Sequence, residues 1–149
     1  MSQRQRNPKR SRSPLAGLRV ADVMHPGLIS CPPETPLRAV ARMLATYRIH
    51  AVVVFPRHMG DVDHTLAWSV VSDLDVARAA QESDFDVQTA GAAAASAVRT
   101  IDAAAPLTDA VAAMVADGVS HVIAIEPSSG RPVGMLSTLD VARALAGLP

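Results

Sequence analysis

The sequence predicts an α+β chain made of two related halves, and three observations carry that expectation. The first is a doublet. Residues 71–79 read VSDLDVARA and residues 136–144 read LSTLDVARA, matching at Ser72/Ser137, Leu74/Leu139, Asp75/Asp140 and Arg78/Arg143. The second is element order, since each half reads helical turn, strand, helix, strand, strand, helix. The third is a pair of constant offsets: Pro36/Pro106, Leu37/Leu107, Leu44/Met114 and Ile49/Val119 lie 70 apart, whereas the doublet lies 65 apart. The first half therefore has five extra residues, which fall between Phe55 and Leu66, in a loop where added length costs little. An internal duplication with one enlarged loop accounts for all three.

Each element follows from local chemistry. Residues 20–24 read as a helical turn ended by His25-Pro26-Gly27, and residues 28–31 as a strand stopped by Pro32-Pro33. Thr35-Pro36 supplies an N-cap and a first helical residue, and Leu37, Val40, Ala41 and Leu44 continue the helix to about residue 47. The β-branched run 49–55 predicts a buried strand. A polar loop over 56–64 leads to a strand over 66–71, and Ser72 opens a helix that fades near residue 81. After a polar, acidic linker at 83–88 the order repeats. A turn at 89–96 and a strand at 98–101 precede a helix over 106–117 stopped by Gly118. Strands His121–Ile125 and 132–136 lead to the last helix over 138–146. The expected organisation is a tail at 1–14, a first motif at 15–82, the linker, and a second motif at 89–149.

Composition narrows the classes. Hydrophobic residues make up 49% of 149 but aromatics only 3%, so the core is Ala, Val, Leu, Ile and Met. No apolar run approaches the roughly 20 residues that span a bilayer. With one cysteine, Cys31, no internal disulfide forms, and the charged start has no hydrophobic segment of signal-peptide length after it, so a cytoplasmic protein is expected. The net charge of zero hides an asymmetry. Residues 1–14 hold five basic and no acidic side chains, leaving nine basic against fourteen acidic in the rest. Such a tail is expected to be disordered. Its charge suits nucleic acid or anionic lipid, but it has no aromatics and no folded basic face.

The repeated strand–turn–helix joint admits two readings. A helix start carries free N–H groups and a positive dipole end, so Ser72 and Ser137 suit a phosphate, and Asp75 and Asp140 suit paired ribose hydroxyls. Ser-x-x-Asp is equally a capping box that satisfies its own helix. The two differ in geometry: a ligand seat turns the pair into a groove, a cap folds the carboxylate onto its own amides. His58, Asp61, Asp63 and His64 sit in the enlarged loop at a spacing that matches no closed metal site, and a polar hairpin is expected. Cys31 is expected to be a buried, inert thiol. Asp75/Arg78 and Asp140/Arg143 are spaced for helix-surface ion pairs. No nucleophilic triad, Gly-rich phosphate loop or metal signature is present, so catalysis is not expected.

Val-Ala-Asp-Val-Met near the start, Thr-Pro-Leu opening a helix, and Ser-x-x-Asp-Val-Ala-Arg-Ala after a strand resemble a CBS domain. The second half, with Pro-Leu-Thr-Asp-Ala, Val119-Ser120-His121 and Gly134-Met135-Leu136-Ser137, resembles another. Together they look like a tandem CBS pair, the Bateman module, over about residues 18–147. The resemblance implies two βαββα units about a pseudo-twofold axis, packed through their sheets, with a cleft for AMP, ADP, ATP or S-adenosylmethionine. By family pattern the joint hydroxyl faces phosphate and the carboxylate faces ribose, which maps to Ser72 with Asp75 and Ser137 with Asp140. Ile29 with Ser30, Thr100 with Ile101, His50-Ala51-Val52 and Ser120-His121-Val122 map beside the base. Three positions depart from the pattern. Ser69 stands where a Gly usually precedes the joint, crowding a ligand's approach, whereas Gly134 keeps it. Ala105 stands where Thr35 caps the first half. Val53 and Ile123 occupy a position often held by Pro. The second joint is therefore expected to be the occupied site, with Asp140→Ala cancelling ligand stabilisation while barely altering the protein otherwise. The implied function is a small regulatory adenine-nucleotide sensor, homodimeric and acting on a partner protein. The alternatives are a ligand-free interaction scaffold, or a nucleic-acid-associated factor led by the tail.

Overall fold

The computed structural model describes residues 12–55, 68–94 and 99–149. Most of the basic tail, the 56–64 loop with His58, Asp61, Asp63 and His64, the expected strand start at Leu66, and the stretch 95–98 lie outside the described residues.

A leader of α1 (Val20–Val23) and β1 (His25–Pro26) precedes the first unit. That unit runs β2 (Ser30–Cys31), α2 (Leu37–Tyr47), β3 (Ala51–Val54), β4 (Ser69–Ser72) and α3 (Asp73–Ala79). A short 3-10 turn (Phe85–Val87) and α4 (Ala90–Ala93) link it to the second unit. There β5 (Thr100–Asp102), α5 (Leu107–Asp117), β6 (His121–Ile125), β7 (Pro132–Ser137) and α6 (Thr138–Leu145) repeat the order. Each unit is thus βαββα, and the fold is α+β as expected. In both units the first strand pairs parallel to the second, and the second antiparallel to the third.

The sheets pack face to face because the strands alternate. Ala51, Val53, Val70 and Ile123 form one buried cluster, joined by Leu28, Trp68, Ile125 and Met135. The intervening residues point the other way. Val52, Val54 and Val71 meet Leu37, Val40 and Leu44 under α2, while Val122, Ala124 and Leu136 meet Leu107, Ala110 and Met114 under α5. Three apolar layers result, with the middle one joining the halves.

The leaders are exchanged between units. Val20, fully buried, sits in the second unit's core with Leu15, and β1 pairs antiparallel with β7 (His25↔Met135, Pro26↔Gly134). The Val20 and Ala21 N–H groups donate to Ala105 and Ala103 carbonyls at 3.0 and 2.8 Å. Reciprocally, Ala90 of α4 is fully buried in the first unit's core, and its N–H donates to the Thr35 carbonyl at 2.8 Å. His25-Pro26 is therefore a strand rather than only the end of a turn.

The same exchange corrects the expected caps. Pro36 and Pro106 both occupy the N-cap, with nearly identical backbone angles and no side-chain cap bond. The first helical N–H of α2 donates to the Gln88 carbonyl at 2.9 Å, and that of α5 to Leu18 at 2.8 Å. Thr35 bonds the Cys31 thiol instead. The Thr35/Ala105 difference thus leaves both helix starts equally satisfied. The linker is also more ordered than its polarity suggests, since Phe85 packs on the first core and lies 5.5 Å beneath the Arg38 guanidinium, which also pairs with Asp86.

Candidate functional site

Both joints are complete capping boxes. Ser72 Oγ accepts from the Asp75 N–H at 3.1 Å, and Asp75 Oδ2 accepts from the Ser72 N–H at 2.8 Å and its hydroxyl at 2.7 Å. At Ser137 and Asp140 the corresponding distances are 3.2, 2.8 and 2.7 Å. Of the two readings, the hydrogen bonds satisfy the cap. Capping uses only Oδ2, however, and the two Oδ1 atoms differ. Asp75 Oδ1 accepts from Arg78 Nη1 at 3.2 Å. Asp140 Oδ1 is held at 2.9 Å by Nδ1 of His25, reaching over from β1, and Arg143 Nη1 stands off at 3.9 Å.

The helix starts differ as well. At α3 the first N–H donates to the His50 carbonyl at 2.9 Å and the second, of Leu74, to Asp73 Oδ1 at 2.8 Å. At α6 the first donates to the Ser120 carbonyl at 2.9 Å, but Thr138 replaces Asp73. The Leu139 N–H consequently has no protein acceptor among the described residues.

A cavity of about 470 Å³ opens beside this second joint, between the units. Its walls come from three places. The leader and the start of the first unit give His25, Gly27, Leu28 and Ile29; the turn before β3 and that strand's first residue give Arg48, Ile49, His50 and Ala51; the second joint gives Met135, Ser137, Leu139, Asp140 and Arg143. Five expected residues therefore come together here: Ile29, His50, Ala51, Ser137 and Asp140. Val52 and Val122 do not, because one step along a strand turns their side chains into the two cores. Ser30 is exposed in β2, Thr100 is exposed in β5, and Ile101 leans on the second core. Ser72, Asp75, Ser120 and His121 belong to the first joint and to the turn before β6 with that strand's first residue, and none of them lines this cavity.

His25, Arg48, Leu139 and Arg143 were not among the expected site residues. Leu139 and Arg143 were visible as shared members of the doublet. His25 was not, because the leader exchange that brings it to Asp140 has no local signature. Gly134 also has a different reason from the expected ligand approach: a Cβ there would meet the His25 carbonyl and the Met24 Sδ, each at 2.6 Å.

His121 is half-buried, and burial pushes its imidazole below the ordinary value, with His50 adding to the drop and Asp73 and Asp75 opposing it. His50 Nδ1 lies 2.8 Å from Asp73 Oδ2. Cys31 is buried, and burial raises its thiol, partly offset by the Thr35 bond. Among the described residues no group of three or more His, Cys, Asp or Glu could hold a metal ion, and no helix is long and apolar enough to cross a membrane.

The fold and the cleft define a tandem α+β module with a ligand-sized space between its halves. The CBS domain pattern matches residues 20–82 and 91–147, and the chain belongs to the CBS domain family. Among solved structures it is similar to the CBS domain protein PAE2072 from Pyrobaculum aerophilum complexed with AMP, at 29% identity and TM-score 0.71, covering 87% of this chain and 95% of that one. It is similar to Hypoxic Response Protein I with two coordinated zinc ions, at 25% identity and TM-score 0.64, covering 85% and 98%. The CBS domain pair of MJ0100, in complex with 5′-methylthioadenosine and S-adenosylmethionine, shares the fold at 18% identity and TM-score 0.72, covering 87% and 97%. No curated protein matches the chain.

Proposed function

We propose that this chain is a regulatory, non-catalytic module that binds an adenosine-containing ligand in the cavity between its halves and thereby changes how it engages a partner protein. One observation carries the reading: a cavity of about 470 Å³, within the range of small-molecule sites, is walled by both units and includes the second joint. It offers apolar surface from Ile29, Leu28 and Leu139 for a base, and the Leu139 N–H, the His50 imidazole and two guanidiniums for polar groups. The AMP complex of the 29% identical PAE2072 protein supports the choice of ligand class. A ligand that bridges two units shifts their arrangement only by its differential affinity for the alternatives, which is what a sensor requires. The reading includes a homodimer, for which Leu74 and Val115 supply exposed apolar surface.

Thermal shift with AMP, ADP, ATP, S-adenosylmethionine and adenosine tests it. At 100 times Kd, binding stabilises by about 2.7 kcal/mol, several degrees for a chain of this size. Leu139→Trp, a half-exposed position on the cavity wall, should remove the shift while leaving the ligand-free melting temperature nearly unchanged. If none of the five ligands moves the transition, the closed capping boxes describe the joints completely and the module is an interaction scaffold.

A further inference from the structure

The two units place different residues at one left-handed backbone position. Gly118 ends α5 in the left-handed region at φ 64°, where glycine is at ease. Arg48, its counterpart 70 residues earlier, ends α2 in the same conformation at φ 52°, although it is the only positive-φ residue among the described ones that is not glycine. Its side chain is exposed on the cavity wall and makes no ion pair among the described residues. A strained arginine where the repeat uses glycine calls for a reason outside folding.

The neighbouring charges supply one. Arg143 lines the same cavity, and His25 holds the Asp140 oxygen that its counterpart Arg78 finds on Asp75. Asp140 is itself buried at 4% exposure and already accepts from Ser137 through its other oxygen. The cavity therefore presents the Arg48 guanidinium without an ion pair among the described residues, beside an Arg143 that shares the single, fully engaged Asp140 carboxylate with His25.

Resting on the nucleotide reading above, we infer that this cavity selects the phosphate-bearing members of the adenosine class, and that Arg48 is the residue that sets the preference. A guanidinium forks onto phosphate oxygens, whereas the sulfonium and ammonium of S-adenosylmethionine meet like charge.

Calorimetric titration of AMP, adenosine and S-adenosylmethionine into the full chain, Arg48→Gly and Arg48→Lys tests this. AMP should bind about tenfold or more tightly than adenosine, as one charge-assisted contact gives. Arg48→Gly should cost AMP about tenfold and adenosine less than about twofold, while raising the ligand-free melting temperature by about 3 °C as the strain is relieved. Arg48→Lys should keep most of the AMP preference, and the preference should shrink with added salt. Equal affinity for AMP and adenosine, or equal losses for both in Arg48→Gly, overturns the inference but leaves an adenosine site. Binding of none of the three overturns both.

Discussion

At Asp140 one carboxylate serves two elements. Oδ2 accepts from the Ser137 amide and hydroxyl and so caps α6, while Oδ1 meets His25 of the leader. The residue is 4% exposed, and losing it leaves the half-buried Ser137 amide without its acceptor and the His25 ring without its anchor. Asp140→Ala should therefore destabilise the ligand-free protein by about 1–3 kcal/mol, read from chemical denaturation. A change within a few tenths would mean that the cap is solvent-replaceable. This reverses the sequence expectation that Asp140→Ala would act on the ligand alone. The residue types at the joint were legible, because Ser and Asp three apart have few local uses. Their partners were not, since Oδ1 is claimed by a histidine 115 positions away in the chain.

At the level of elements, helices and hairpins were legible wherever their chemistry is local. Leu37, Val40 and Leu44 mark the buried face of α2, and Gly118 marks the stop of α5. The leader has no such local mark, because its pairing is distant: β1 spans two residues and joins a sheet whose other strands start at residue 100. Gly134 is the sequence trace of that crossing. A Cβ there would stand 2.6 Å from the His25 carbonyl, far inside contact distance, and backbone cannot yield as a side-chain end does. Gly134→Ala should cost about 1–3 kcal/mol, as overpacking does, by pushing β1 off β7. Because His25 is also a cavity wall, the same variant should lose nucleotide affinity. Unchanged stability in urea would show that β1 contributes nothing to the sheet. Ser69, at the corresponding position of the first unit, is tolerated beside β3 without such a crossing among the described residues.

For the molecule as a whole, exchange of leaders removes the independence that a duplication suggests. The second core contains Leu15 and Val20 from the chain's beginning, the first contains Ala90 from the stretch after its last helix, and the middle layer draws on both sheets. Each unit's long helix also rests its first N–H on the other unit's leader, Leu37 on Gln88 and Leu107 on Leu18. Neither half can open without exposing a core or orphaning a helix start in the other, so the two should unfold as one transition. Trp68, the only tryptophan, reports on the middle layer from the first unit, whereas far-UV circular dichroism reports on both. The two signals should give the same midpoint. Val20→Ala, a change in the leader buried wholly in the second core, should lower both midpoints together, by about 2 kcal/mol for two buried methyl equivalents. A Trp68 transition that ignores Val20→Ala, or that parts from the dichroism curve, would show two units folding separately. In that case a ligand between them would act as a bridge across independent bodies rather than as a bias on a single one.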